Sequence, residues 1–329
     1  MKSKLNKISY SAASVFPAKL LGLKVISEDN KIMPIHIQLN PTNVCNFNCP
    51  FCSCANRDKS LILSLEDIVE IMIKAKKCGA LAVTITGGGE PLSHPRINEI
   101  IALMKRLDIK VGIATNGSLL GNLDFDSLAY ITWIRVSVSD KIQNQLLSNG
   151  LKLDDWFSII KKTVLSAKNI DWAFSHVLSR NPNYELLQRI IDFSNDLNFT
   201  HIRIVSDLFD LDNVPEMGIV KSNLKNDRLV IYQGRKDHTK GTAKCFLSVL
   251  KPVVGADGKL YPCCGTQYAL DKPGKDYEPT MCMGDAKDID KIYSEQKFFN
   301  GSVCVKCYYS QYNNALGIIS GKIKHREFV

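Results

Sequence analysis

Asn43-Val44-Cys45-Asn46-Phe47-Asn48-Cys49-Pro50-Phe51-Cys52 sets three thiols in one short loop with C-x3-C-x2-C spacing. Three soft thiolates suit three corners of a four-iron, four-sulfur cluster, and the missing fourth leaves one iron open to a ligand that is not protein. An open iron implies chemistry. The residues alone also admit a zinc site, which ordinarily takes four ligands, or three unrelated core thiols. A cysteine-rich loop directly after an apolar strand is an uncommon place for either.

Outward from this loop, residues 33–206 alternate short β-branched runs with helical periodicity. Strands are expected at 35–39, 81–86, 110–114, 131–138, 172–178 and 201–205. Between them, Ile68, Met72, Ala75 and Cys78 share a helix face that Ser64 can cap with Asp67 at N3, which makes Cys78 a core thiol. Ile97, Ile100, Ile101, Met104 and Leu107 line a second helix; Trp156, Ile159, Ile160 and Thr163 a fourth; Leu187, Ile190, Ile191 and Leu197 a fifth. The third, at 125–130, is short and weakly patterned. Strict alternation predicts an α/β fold with a parallel sheet, and six units fit a partial (β/α)6 barrel of the TIM type. Chemistry in such folds gathers at the C-terminal strand ends. The cysteine loop follows the first strand, and Thr86-Gly87-Gly88-Gly89-Glu90-Pro91-Leu92 follows the second.

The chain has 329 residues, 45% of them apolar, enough for one large domain and a smaller one. Eleven cysteines without a secretory leader argue for a reducing, cytoplasmic setting and metal ligation rather than disulfides. The first apolar stretch is broken by Pro17, Lys19 and Lys24, so it reads as neither a cleaved leader nor a membrane span. Net charge is +9, densest at 235–244 and 322–326. A basic face favours an anionic substrate, a nucleotide or an acidic peptide, but the clusters lack the interleaved aromatics of a nucleic-acid platform.

After residue 206 the alternation stops. The expected organisation is a lead-in at 1–34, the barrel at 35–206, a polar connecting segment at 207–242 and a cysteine-rich domain at 243–329. That last part carries Cys245, Cys263, Cys264, Cys282, Cys304 and Cys307 with few apolar residues, a composition that metal can stabilise. Asp257-Gly258 reads as a hairpin turn that brings Cys263 back beside Cys245. A four-cysteine zinc knuckle is compatible with the same spacing.

The cysteine loop, coupled to the Gly-Gly-Glu-Pro run at the next strand, resembles the signature of the radical S-adenosylmethionine superfamily. The resemblance implies an open iron that chelates S-adenosylmethionine and yields a 5′-deoxyadenosyl radical on reduction by a flavodoxin or ferredoxin. It implies that Gly88, Gly89 and Glu90 bind the methionine ammonium, that Ser137 meets the ribose, and that Phe51 lies beside the adenine. Thr115-Asn116-Gly117 ends the third strand as often seen in the family. Cys245-x12-Gly258-x4-Cys263, closed by Cys304 and Cys307, is similar to the SPASM and twitch auxiliary domains, which carry a second four-iron, four-sulfur cluster. A full SPASM domain would place another cysteine where Asn313 stands, so the spacing is nearest the twitch type, as in 2-deoxy-scyllo-inosamine dehydrogenase. Four protein ligands leave that cluster to transfer electrons, which favours dehydrogenation of a small polar substrate such as a sugar or cyclitol. The alternatives are modification of a ribosomal peptide, for which the short lead-in offers no leader-binding domain, and a non-enzymatic metal-binding module. Cys54, Cys264 and Cys282 fall outside both ligand sets, and His176, near the end of the fifth strand, is nominated as general base against a structural role.

Overall fold

Seven parallel strands lie side by side in chain order: β1 (His36–Leu39), β2 (Ala82–Ile85), β3 (Lys110–Thr115), β4 (Ile131–Ser139), β5 (Asp171–Leu178), β6 (His201–Ser206) and β7 (Val230–Gln233). The computed structural model describes residues 31–55, 57–234, 239–265 and 281–320. Most of the lead-in expected at 1–34, and the basic run at 322–326, lie outside them. The crossover helices include α1 (Leu65–Lys77), α2 (Ile97–Arg106), α3 (Phe125–Tyr130), α4 (Ile142–Leu147), α5 (Leu153–Ser166) and α6 (Tyr184–Asp196). Ser64 caps α1 by accepting the Asp67 N–H at 3.0 Å, as its sequence predicts.

Period two sorts each strand into two faces. Ile37, Ile85, Ile113, Val136, Phe174 and Ile204 are fully buried on the outer face, which the helices cover. The inner face is polar. His36 shares a 2.7 Å hydrogen bond with Thr84, and Trp133 lies across Gly112, where a methyl group would fall 2.0 Å from the indole. Registers Gly112↔Trp133 and Ser137↔Ser175 continue this face across the sheet.

The sheet runs beyond the six expected strands at both edges. The segment expected to connect, 207–242, contributes α7 (Met217–Ser222) and β7, which pairs in parallel with β6. At the other edge β8 (Val253–Val254) pairs in parallel with β1, followed antiparallel by β9 (Lys259–Tyr261) and β10 (Gly284–Asp285). The cysteine-rich part therefore extends the barrel sheet. The expected β8–β9 turn is present, with Gly258 at φ +73° and the Asp257 carboxylate accepting from Lys259 N–H and the Tyr261 hydroxyl. Lys287 pairs with Asp67 and Glu70 of α1, and Gln296 exchanges hydrogen bonds with the backbone of Ile32. Among the described residues no helix is long and apolar enough to cross a membrane.

Candidate active site and a second cysteine site

The loops after β1 and β2 run together as backbone on backbone. Gly89 N–H donates to Thr42 O and Glu90 N–H to Val44 O, both at 2.8 Å. A methyl at Gly89 would lie 2.1 Å from the Val44 carbonyl oxygen, and one at Gly88 1.7 Å from Asn43 Oδ1. Only glycine permits this approach, so the glycines position the cysteine loop whatever else they contact. Glu90 is 3% exposed and accepts from Leu92 N–H (3.1 Å), the Thr115 hydroxyl (2.6 Å) and Asn116 N–H (2.7 Å). Burial outweighs these donors and pushes its carboxyl up to about 7. Asn116 in turn donates to Asn46 Oδ1, Asn46 to Ser118 Oγ, and Gln145 of α4 accepts from Asn48 N–H. The loop is thus tied to β2, β3 and α4.

Cys45, Cys49 and Cys52 interact in series, Cys49 with each of the others. Burial pushes Cys45 up and Cys49 up to about 12, while Cys52 is raised by a hydrogen bond shared with Cys54 and by burial. Two backbone N–H groups already point at sulfur: Phe47 at Cys45 and Cys54 at Cys52, each 3.4 Å. They favour thiolate, so the loop fits a cationic iron core that would hold its thiols deprotonated. As placed, no three His, Cys, Asp or Glu side chains among the described residues could hold a single metal ion. Phe51 is half-buried in the loop, and Ser137 sits exposed on the inner face of β4.

His176 is on the wrong side of the sheet for a general base. Its register partners Val138 and Ile204 face the helices, it is fully buried, and its Nε2 bonds Asp140 Oδ1 at 2.9 Å. Burial alone would raise the Asp140 carboxyl, but His176 and the N–H groups of Ser179 and Asn183 hold it below the usual range. The pair orders the loop after β5. Parity with Phe174 was the signal for this placement.

Cys245, Cys263, Cys304 and Cys307 line one small, partly open cavity, together with Pro262, Phe299, Tyr309 and Asn313. Short antiparallel bridges, Cys245 to Phe299 and Thr239 to Cys307, draw the walls together. Burial raises Cys245, Cys263 and Cys304, the last to about 11. Asn313 is 4% exposed; its Oδ1 accepts Leu247 N–H at 2.9 Å, which turns its Nδ2 toward Cys245 Sγ at 3.6 Å. The residue that stands in place of a cysteine is therefore a donor to a cysteine. Four thiols around one space, one already receiving an N–H, fit a second cluster. Cys264 lies against the Tyr309 hydroxyl (2.9 Å) and Cys282 against Gly284, neither among the residues lining the cavity. Sequence reasoning missed Asn43, Asn46 and Gln145, polar loop and helix residues with no motif of their own.

The profile of the Radical SAM superfamily matches residues 39–139. Relatives named "Probable GTP 3',8-cyclase", from Saccharolobus islandicus strain M.14.25 / Kamchatka #1 and Saccharolobus solfataricus, are 29% and 27% identical over 174 residues. Each match covers 51% of this chain and 56% of the relative, so the chain spans about half the length of the curated relatives it matches. Among solved structures, Streptococcus suis SuiB bound to precursor peptide SuiA superposes with a TM-score of 0.58 at 18% identity, over 93% of this chain and 76% of that one. Native anSMEcpe with bound AdoMet and Cp18Cys peptide gives 0.50 at 14%, over 88% and 99%. These likenesses are of fold.

Proposed function

We propose that this chain, whose residues 39–139 match the Radical SAM superfamily, is a radical SAM oxidoreductase acting on a small polar substrate such as a sugar or cyclitol. Cys45, Cys49 and Cys52 hold the cluster that takes S-adenosylmethionine, and Cys245, Cys263, Cys304 and Cys307 hold an auxiliary one. When bound, these groups supply a 5′-deoxyadenosyl radical that abstracts hydrogen and a one-electron acceptor. Glu90, poised near neutrality by burial, holds the methionine ammonium as a carboxylate, while Thr115 and Asn116 keep it aimed. Gly88 and Gly89 let the two loops close around the cofactor, Ser137 meets the ribose from the inner face, and Phe51 covers the adenine. A flavodoxin- or ferredoxin-type protein is the proposed reductant.

The carrying observation is the four-thiol cavity, which leaves no iron corner for substrate and suits electron transfer. Peptide modification is the second reading, favoured by a fold shared over nearly the whole chain with SuiB and anSMEcpe, both solved with peptides. Cys304→Ala separates the roles. It should still release 5′-deoxyadenosine under dithionite yet give little product two hydrogens lighter than substrate. Wild-type yield of that product with the auxiliary iron gone would overturn the oxidative reading, and product equal in mass to substrate would favour epimerisation or rearrangement.

A further inference from the structure

We infer that the outer wall of the four-cysteine cavity is the docking face for an acidic one-electron carrier protein, which takes an electron from the cavity. This goes beyond the proposed function in naming where the electron leaves, and rests on it only for a redox group being held there. Two segments make the wall. Thr239 and Cys307 exchange backbone hydrogen bonds in an antiparallel bridge, Gly241 N–H donates to Cys304 O at 2.9 Å, and Cys245 N–H donates to Phe299 O at 3.1 Å. The same segments line the cavity through Gly241, Thr242, Gly301, Cys304 and Cys307. They pack closely: a methyl on Gly241 would fall 2.0 Å from the Gly301 carbonyl oxygen, and one on Gly301 2.7 Å from that of Thr242. The wall is therefore one chain thick, with the cavity on one side and solvent on the other.

The solvent side is basic and apolar. Residues 239–245 and 297–307 carry Lys240, Lys244, Lys297 and Lys306, all exposed, and no carboxylate. Lys240 and Lys306 are neighbours across the bridge, a like-charge pairing that opposes the bridge and that an anionic partner relieves. Neither they nor Lys297 make an ion pair with any described residue, whereas Lys259 pairs with Asp285 and Lys287 with Asp67 elsewhere in this half of the chain. Lys244 Nζ stands 4.3 Å from the centre of the Phe298 ring and 5.0 Å from that of Phe246, contacts that steady the ammonium without neutralising it. Val303 and Val305, 45% and 57% exposed, flank Cys304. Exposed apolar side chains beside cations of one sign suit a carboxylate-rich protein surface rather than a small anion. A partner seated here lies directly over half-buried Cys304 and Cys307. The transfer moves one electron: the group in the cavity is oxidised by one, the carrier is reduced by one, and no bond or proton changes place.

The probe is an oxidised flavodoxin of net negative charge. In anaerobically reconstituted protein, carbodiimide should join its carboxylates to Lys240 or Lys306, and raised salt should suppress the product. In the full-length Cys45→Ala, Cys49→Ala, Cys52→Ala variant, reduced chemically and mixed with the flavodoxin, semiquinone should form at a rate that saturates. Lys240→Glu with Lys306→Glu should raise the half-saturating flavodoxin concentration about tenfold or more, while Lys105→Glu on α2 leaves it unchanged. Iron content and circular dichroism certify folding, and Lys240→Gln with Lys306→Gln takes over if the charge reversal does not fold. Cross-links confined to other lysines, or an unchanged half-saturation in the folded variant, overturn the docking face. So does equal displacement of the flavodoxin by a redox-inactive acidic peptide, which would make the face a peptide site. Cross-links at Lys240 or Lys306 on protein whose cavity takes up no iron would instead sink the proposed function and leave the docking face standing.

Discussion

The cysteine loop after β1 and the four-cysteine cavity meet the same demand by opposite means. In the loop, three thiols come from consecutive sequence, and residues without sulfur set their position: the Gly88-Gly89 backbone beneath, Glu90 and Asn116 beside. In the cavity, the thiols come from separate segments and meet only because Thr239, Cys245, Phe299 and Cys307 pair across short bridges. A local site borrows its rigidity from the barrel. A dispersed site has to create it, and a metal group that ties its walls contributes to their folding.

That contrast breaks first if iron is removed. Chelation should strip hydrogen-exchange protection from 239–265 and 281–320 while β2–β6 keep theirs, because only the former depends on its metal. Equal loss in both regions would mean that the loop cluster carries as much of the fold as the cavity cluster.

Gly89→Ala sharpens the local side. A methyl 2.1 Å from the Val44 oxygen meets backbone, so a loss on the order of 3 kcal/mol or more is expected, with iron lost from the loop. Gly121→Ala, which meets nothing within 4 Å, is the control. Matching urea midpoints for the two would remove the close approach as the reason for glycine.

Glu90 gives a pH signature. Folding raises its pKa from 4.5 to about 7, so this group's contribution to stability is complete below pH 4.5 and is lost as pH rises through 7. The swing in iron-free protein is about 3 kcal/mol, read as urea midpoints from pH 4.5 to 8, and Glu90→Gln should flatten it. An unchanged slope in that variant would place the titration elsewhere.

The smallest effect belongs to Asn313. Asn313→Leu removes the N–H aimed at Cys245 and should shift the auxiliary cluster to a more negative potential in an electron paramagnetic resonance redox titration. An unmoved potential would leave Asn313 as packing alone.

Much of this was legible in sequence because the helices α1, α2, α5 and α6 are long enough for an apolar stripe to show, and the strands between them alternate. β8 to β10 were not, being two or three residues long, too short to display a period of two, and β7 lies in a segment whose polar composition reads as a connection. The family resemblance named both cysteine sets, and the structure brings the four C-terminal thiols to one cavity. The purpose of Gly89 beside the cysteine loop was not legible, since it depends on two loops meeting. His176 was nominated from its closeness to a strand end against a structural role, and its parity with Phe174, also legible in the sequence, places it among the helices.

The most direct measurement pairs iron content with S-adenosylmethionine cleavage in a Cys45→Ala, Cys49→Ala, Cys52→Ala triple variant, reconstituted beside wild type under anaerobic conditions. The account predicts about eight irons for wild type, from two four-iron clusters. The variant should keep about half of them, in the C-terminal cavity, and form no 5′-deoxyadenosine. Full iron in the variant, or stoichiometric zinc in the cavity, would contradict it.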